Sequence, residues 1–454
     1  MTRKPRTAFG VGALLALFAL GLPTPAYGQK PESTPPVAFW KTLGDTTLER
    51  LVGEVVKSNH DVVAAEARLR GARADRTRTA LDFAPSVYAT ASYTRHRLAN
   101  ASVPGSGGGT ALPDQTTWDA GLQLSWEIDL FGRIRKSTQG KNALVGAAEE
   151  DVRDLQVLLA AELAINYFEL RGDQDRLRVA RKSAENQQHT LDVTLQRLEA
   201  GRGSEFDSER ARTQLNSTLA AIPALEASVN AAEHRIAVLI GHENTGLEQG
   251  GNNSVSLTTL PDSIVLPSSD IAVRRRPDVR SAERQVAAGN AFVGAAKSEY
   301  LPRITVGGTA GYVGASFDAL SNSNTPRYAI GPVVSLPLNI GRVKAGVDQA
   351  RAQQSEAEAY YRKTELQARE EIATSMVAYN KARQSLGYLE AAAKASERAA
   401  ALARLRFDEG ASDLLQVLDS ERTMLAAQDR LASGRTAAVN GLVTLYRATG
   451  GSLP

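Results

Sequence analysis

The 454-residue chain has room for two to four domains of ordinary size, and with 43% hydrophobic and 23% charged residues it reads as folded throughout, excluding wholesale disorder. Lys and Arg number 53 against 50 Asp and Glu, a formal net charge of +3 that makes no case for a nucleic-acid partner. The absence of cysteine excludes disulfides, thiolate metal sites, a Cys nucleophile and a lipid anchor on an N-terminal Cys; His60, His96, His189, His234 and His242 share no metal-ligand spacing, so neither metal nor cofactor is expected.

Arg3, Lys4 and Arg6 precede an apolar run from Ala8 to Leu22, ended by Pro23 and Pro25. That run is shorter than the roughly 20 residues of a spanning helix. Ala26-Tyr27-Gly28 offers small residues at a cleavage site, so residues 1–28 read as a signal peptide, with an uncleaved anchor as the alternative. Residues 29–45, Pro-rich from Lys30 to Pro36, read as an extended leader. No later apolar run is long enough to cross a bilayer as a helix, so any membrane passage must be made by β-strands.

After helices over 46–84, residues 85–131 have the pattern of a β-hairpin. Val87, Ala89, Ala91 and Tyr93 alternate with Tyr88, Thr90, Ser92 and Thr94. Trp118, Ala120, Leu122, Leu124, Trp126, Ile128 and Leu130 alternate with Asp119, Gly121, Gln123, Ser125, Glu127 and Asp129, a clean period of two. The loop between them, Asn100 to Thr117, is polar and glycine-rich. A second hairpin spans 302–340. Ile304, Val306, Gly308, Ala310 and Tyr312 share one face of its first strand; Tyr328, Ile330, Val334, Leu336, Leu338 and Ile340 share one face of its second. Pro332 and Pro337 sit awkwardly in that last strand.

Each hairpin precedes a long helical stretch, and the two stretches are in register. Gly132-Arg133 recurs as Gly341-Arg342, Gly201 as Gly410 and Gly241 as Gly450, each 209 residues on. Residues 132–241 and 341–450 therefore read as two copies of one unit, separated by a connecting segment over 242–275 and a helix over 276–301. From Ile134 to Ala200 there is no proline, and Ala, Leu, Glu, Gln and Arg dominate. At about 1.5 Å per residue such a helix is about 100 Å long, which makes sense only if it packs lengthwise on others. Gly201 and Gly410 suit the left-handed position after a helix, Ser204 and Ser412 suit the cap of a returning one, and each unit closes as a helical hairpin. An ordinary antiparallel coiled coil with a plain turn is the alternative at each tip.

Four strands cannot close a membrane barrel, and an open edge cannot face lipid. If the strands enter a membrane, several chains must share one barrel; three copies give twelve strands, with the odd-numbered face of residues 118–130 lining a wet lumen. A soluble half-buried sheet remains the alternative on pattern alone.

Residues 40–450 resemble the outer-membrane efflux channels of the TolC and OprM superfamily, close to the NodT-like branch. The stretches that carry the resemblance are Trp40 to Asp45, Leu51 to Arg73 as one helix, Arg274-Arg-Arg-Pro-Asp-Val-Arg280 with Ser281 to Arg284, Tyr300 to Arg303, and Gly331 to Leu338 ahead of Gly341-Arg342. The resemblance implies a mixed α and β fold: a homotrimer with one shared twelve-stranded barrel, continued by an α-helical periplasmic tunnel. It implies a passive duct rather than an enzyme, with a periplasmic adaptor and an inner-membrane pump of the resistance-nodulation-division type as partners, exporting drugs or other toxic compounds. Many members of the branch carry a lipidated Cys, which this chain lacks, so the barrel alone should hold it in the outer membrane. The family places acidic residues six and nine positions after each tip glycine, facing the pore axis. Here those positions hold Asp207, Gln416 and Asp419, with Arg210 in place of a fourth acid. Adaptor contact falls on the tips, Gly201, Arg202, Gly203, Ser204, Gly410, Ala411 and Ser412. A type I protein-secretion duct on the same fold, and a periplasmic structural coiled-coil protein, are the competing readings.

Overall fold

In the computed structural model, residues 37–97, 114–244, 268–322 and 324–453 are described. The signal peptide, the start of the leader, most of the first hairpin loop and most of the 242–275 segment lie outside them.

The described chain is mainly helical with one small antiparallel sheet. It begins with three helices, α1 (Val37–Thr42), α2 (Thr46–Ser58) and α3 (His60–Leu81). Two expectations need correction here. The end of the leader is helical rather than extended, because Phe39 and Trp40 bury themselves in the core, Phe39 stacking on Tyr446 at 4.7 Å. The helix expected from Leu51 to Arg73 is two helices, broken at Asn59. Its backbone is extended (φ −63°, ψ 131°), and its side-chain oxygen accepts the Asp61 and Val62 amides to start α3. Asn59 Nδ2 also donates to the Leu239 carbonyl at 2.9 Å, tying this break to the end of a distant helix. Asp45 caps α2 in the same way, and its second oxygen accepts the buried Tyr167 hydroxyl at 2.7 Å.

The strands are β1 (Ser86–His96), β2 (Gln115–Ile128), β3 (Arg303–Gly314) and β4 (Pro326–Ser335), in the order β1-β2-β3-β4. The register aligns the alternation of all four. Tyr93 lies opposite Trp118, Leu122 opposite Ala310, Ala310 opposite Tyr328, and Ile304 opposite Val334. One face is therefore continuously apolar and the other carries Thr90, Ser92, Asp119, Gln123, Thr305 and Thr309. The apolar face is open in the single chain: Val87, Leu122, Tyr328 and Ile330 are all exposed. On the polar face Gly121 and Gly311 lie opposite each other, and a Cβ on Gly121 would fall 2.6 Å from the Ala310 carbonyl oxygen.

The last strand is shorter than expected. β4 stops at Ser335 and Ile340 opens a helix, so the apparent alternation at Leu336, Leu338 and Ile340 lies outside the ladder. Pro337 is thus no longer in a strand, whereas Pro332 stands within β4 opposite Val306.

Four helices account for most of the length: α4 (Arg133–Glu199), α5 (Glu205–Leu239), α8 (Ile340–Asp408) and α9 (Leu414–Ala448). Adding 209 to the bounds of α5 gives those of α9, and adding 209 to the end of α4 gives the end of α8. All four end alike. The Arg202, His242, Ala411 and Gly451 amides each donate to a carbonyl five residues back, around a left-handed Gly201, Gly241, Gly410 or Gly450. At 67 and 69 residues, α4 and α8 are each about 100 Å long.

Between them lie α6 (Ser269–Arg275) and α7 (Pro277–Ser298). The Arg274–Arg276 cluster divides: Arg274 and Arg275 are exposed, Arg276 is buried. Arg276 forks onto Asp278 at 3.0 and 2.7 Å, and its Nη1 donates to Glu371 (2.7 Å) on α8 and to the Ala448 carbonyl (2.8 Å) at the end of α9. Burial works against its charge, but the hydrogen bonds and charges of Asp278 and Glu371 overcome this and hold the guanidinium protonated. Nearby Asp154 on α4 has its carboxyl pushed up to about 6, chiefly by burial and then by Asp278; Arg276 opposes the shift, and Asp151 and Glu371 add to it.

The main core sits where α1 and α2 meet the middle of α4 and the end of α9. Trp40, Leu48, Leu51, Leu163, Tyr167 and Tyr446 are all 0% exposed there. Each such side chain contributes about 1.5–3 kcal/mol of burial.

Candidate pore entrance at the helical tips

The far ends of the two helical hairpins pack into a small core of their own. Ala184 and Leu191 of α4, Ala211 and Leu215 of α5, and Leu414, Val417 and Leu418 of α9 are buried together, with Phe407 of α8 partly buried against them. Both tips therefore sit at one end of the bundle, opposite the sheet. Across the hairpins, the Arg197 guanidinium of α4 lies 4.1 Å from the centre of the Phe407 ring, a cation–π contact one turn before both turns begin.

The tip backbone follows from few residues. Gly201 (φ +69°) and Gly410 (φ +75°) take the left-handed conformation that ends a helix. Ser204 caps α5, its Oγ accepting the Phe206 amide at 3.2 Å. The expected cap at Ser412 is corrected to Asp413, whose carboxylate accepts the Gln416 amide at 3.1 Å. The 209-residue register maps Ser204 onto position 413, so the signal was in the sequence. Ser412 is half-buried instead, with its Oγ enclosed and no hydrogen-bond partner. Gly203 has a reason of its own: a Cβ there would lie 2.7 Å from the Leu198 nitrogen and 3.0 Å from the Arg197 carbonyl carbon. A bulky change at Gly203 would deform the turn whatever docks there. Arg202 and Ala411 are exposed and free of that constraint.

The aperture candidates differ in setting. Asp207 is half-buried in the first turn of α5, where a carboxylate is favoured by the helix dipole. Gln416 is exposed one turn into α9. Asp419 is exposed and paired with Arg422, one turn on, at 2.7 Å. Arg422 went unremarked in the sequence although its i, i+3 spacing is legible; it offsets part of the Asp419 charge, and an exposed pair of this kind is worth under about 1 kcal/mol. Phe206 is 65% exposed beside Asp207, with Arg210 over its ring at 5.5 Å. Deeper between α8 and α9, Glu421 is buried and paired with Arg404; burial raises its pKa and Arg404 pulls it back. Among the described residues no group of His, Cys, Asp and Glu has the arrangement of a metal site.

The model of the family described as outer membrane efflux protein matches residues 51–242 and 269–451. The chain belongs to the outer membrane efflux protein family. The solvent efflux pump outer membrane protein SrpC of Pseudomonas putida is 29% identical over 409 residues, 90% of this chain and 86% of that protein. Nodulation protein T of Rhizobium leguminosarum bv. viciae is 28% identical over 399 residues, 87% of this chain and 80% of that protein. The solved structure of the outer-membrane channel OprN superposes with a TM-score of 0.82 at 36% identity, covering 91% of this chain and 92% of that one. In this outer membrane efflux protein the helical tips are thus the end of the bundle remote from the sheet.

Proposed function

We propose that the protein is the outer-membrane exit duct of a tripartite efflux system. Three copies each contribute four strands to one twelve-stranded barrel, and their helices extend it into the periplasm as a tunnel. The observation that carries this reading is the sheet: one face is apolar from the helical end as far as Tyr93 and Trp118, and β1 and β4 are open edges within the chain. An open edge in lipid leaves backbone groups without partners, so β4 of one copy pairs with β1 of the next. Aromatic side chains mark both ends of the apolar band. Tyr93, Trp118 and Phe317 cluster at the far end with ring centres 4.8 and 5.5 Å apart; at the near end Trp126 Nε1 donates to the Phe83 carbonyl. Eight residues separate Trp118 from Trp126, about 26 Å along the strand and about 20 Å once the strand tilts in a barrel, a fit to a thin bilayer.

On this reading residues 132–241 and 341–450 are two copies of one tunnel-forming unit. The aperture is lined by Asp207, Gln416 and Asp419, and a periplasmic adaptor grips the tips around Arg202 and Ala411. An inner-membrane pump of the resistance-nodulation-division type supplies the work, and the duct is passive. Drugs or other small toxic compounds are the cargo. The signal peptide over 1–28 sends the chain across the inner membrane, and with no Cys the barrel is its anchor.

The test is to fractionate membranes and weigh the detergent-extracted complex by light scattering, then ask whether the gene restores drug export to a strain lacking its own duct. A trimer in the outer membrane that restores export is expected. A soluble monomer would overturn the barrel; a trimer that exports a protein but no drug would overturn the cargo.

A further inference from the structure

The outward end of the apolar face carries charge where the rest of that face has none. Arg95 is two residues beyond Tyr93, on the same face of β1, and Arg97 follows two further on. Both flank one carboxylate. Arg95 donates through Nε (3.0 Å) and Nη2 (2.7 Å) to Asp114 Oδ2, and Arg97 donates through Nε (2.6 Å) to Oδ1. The two arginine side chains stay 63% exposed while Asp114 is 28% exposed. The cluster is thus two cations held side by side on one anion, with a net charge of +1 for each chain. A guanidinium has five N–H donors. Arg95 spends two and Arg97 one on Asp114, and among the described residues nothing engages the others.

Position gives the pair its meaning. The helices attach at the opposite end of the strands, so this end of the barrel faces outward, and the Tyr93–Trp118 contact marks where the apolar band stops. Two arginines just past an aromatic girdle, on the lipid side rather than the lumen side, stand at the depth of lipid headgroups. Guanidinium groups bind phosphate through paired hydrogen bonds. We propose that Arg95 and Arg97 form a docking site for the phosphate of an outer-leaflet glycolipid, one site on each chain of the trimer, with Asp114 between them competing with the phosphate for the two guanidinium groups. The inference rests on the barrel reading given above.

The experiment uses detergent-solubilised full-length trimer, checked first by light scattering, so that a failed barrel is recognised before any lipid is added. Diphosphoryl lipid A, the same lipid stripped of phosphate, and inorganic phosphate are the three probes, read by native mass spectrometry and by the trimer's melting temperature. Wild type should retain diphosphoryl lipid A and melt higher with it. The double variant Arg95→Gln with Arg97→Gln should bind it at least about tenfold more weakly, the loss of a charge-assisted contact. Asp114→Asn, which frees both cations, should bind it several-fold more tightly. Equal retention of the stripped lipid, equal binding by the double variant, or weakened binding by Asp114→Asn would each overturn the site. An equal shift with inorganic phosphate alone would overturn its assignment to a lipid.

Discussion

The hairpins α4–α5 and α8–α9 have matching helix ends and matching turns, yet they are packed differently. α4 is enclosed by α2, α3, α5, α7 and α9 and buries Leu159, Leu163, Tyr167, Phe168 and Leu170. α8 packs on α6, α7 and α9, and its buried residues are smaller, such as Val343, Val347, Ala350, Ala368 and Ala393. Of its larger side chains Ile372 and Tyr379 are buried, whereas Leu366, Val377 and Tyr388 are 68, 60 and 71% exposed. These three are spaced by 11 residues, about three helical turns, and so share one stripe. The difference teaches that a repeated backbone unit is not a repeated environment. The first copy encloses its long helix within the chain, whereas the second leaves an apolar flank of α8 open, the surface that the proposed trimer would cover.

That contrast can be broken at four levels. The largest effect belongs to Arg276, which ties α7, α8 and α9 together. Arg276→Met leaves the half-buried Asp278 and the exposed Glu371 without their cation and the buried Ala448 carbonyl without its donor, and should cost about 3 kcal/mol, seen as an early denaturation midpoint and little accumulated trimer. Next comes the stripe itself. Leu366→Asp should leave the single chain folded by circular dichroism, yet weaken assembly by about 2–3 kcal/mol per protomer, so that light scattering finds monomers; Leu163→Asp should unfold the chain outright. A folded trimer for Leu366→Asp would show that no copy covers α8.

A smaller effect is tied to pH. Asp154 has its carboxyl raised to about 6 from an unfolded value of 3.8, so its charged form is the disfavoured one in the native state. Its contribution to stability is full below pH 3.8 and is lost as pH rises through 6. Asp154→Asn removes that loss and should stabilise the protein by up to about 2 kcal/mol at pH 8, with the gain fading by pH 4. A gain that is constant across this range would place the effect elsewhere. The smallest effect is at the aperture. Asp419→Ala should change stability by under about 1 kcal/mol but lower cation selectivity in a planar bilayer; Arg422→Ala, which uncovers the same carboxylate, should raise it. Opposite shifts are the expected signature, and no shift in either would remove α9 from the pore lining.

Much of the architecture was legible because it rests on periodicity and on glycine. The alternation in residues 87–93 and 118–128 marks two strands, and the glycines 209 residues apart mark equivalent helix ends. Local caps were less legible. The break at Asn59 depends on a side chain reaching its own backbone and a carbonyl 180 residues away, and β4 was read too long because coil residues happened to alternate. The resemblance picked out Arg274–Arg280, yet nothing in those residues says that Arg276 alone of its four arginines is buried; its partners Glu371 and Ala448 are far along the chain. At the tips, Asp207 and Asp419 were named from the family's spacing, whereas the pairing of Asp419 with Arg422 and the steric demand at Gly203 follow from geometry alone.

The glycines that face each other across β2 and β3, Gly121 and Gly311, put two bare main chains side by side on the polar face. On the same rung Thr90 stands beside Gly121 and Arg327, paired with Asp119, stands beside Gly311, so polar side chains flank the bare pair. The small profile of the pair itself lets β2 and β3 approach closely and curve tightly at this level.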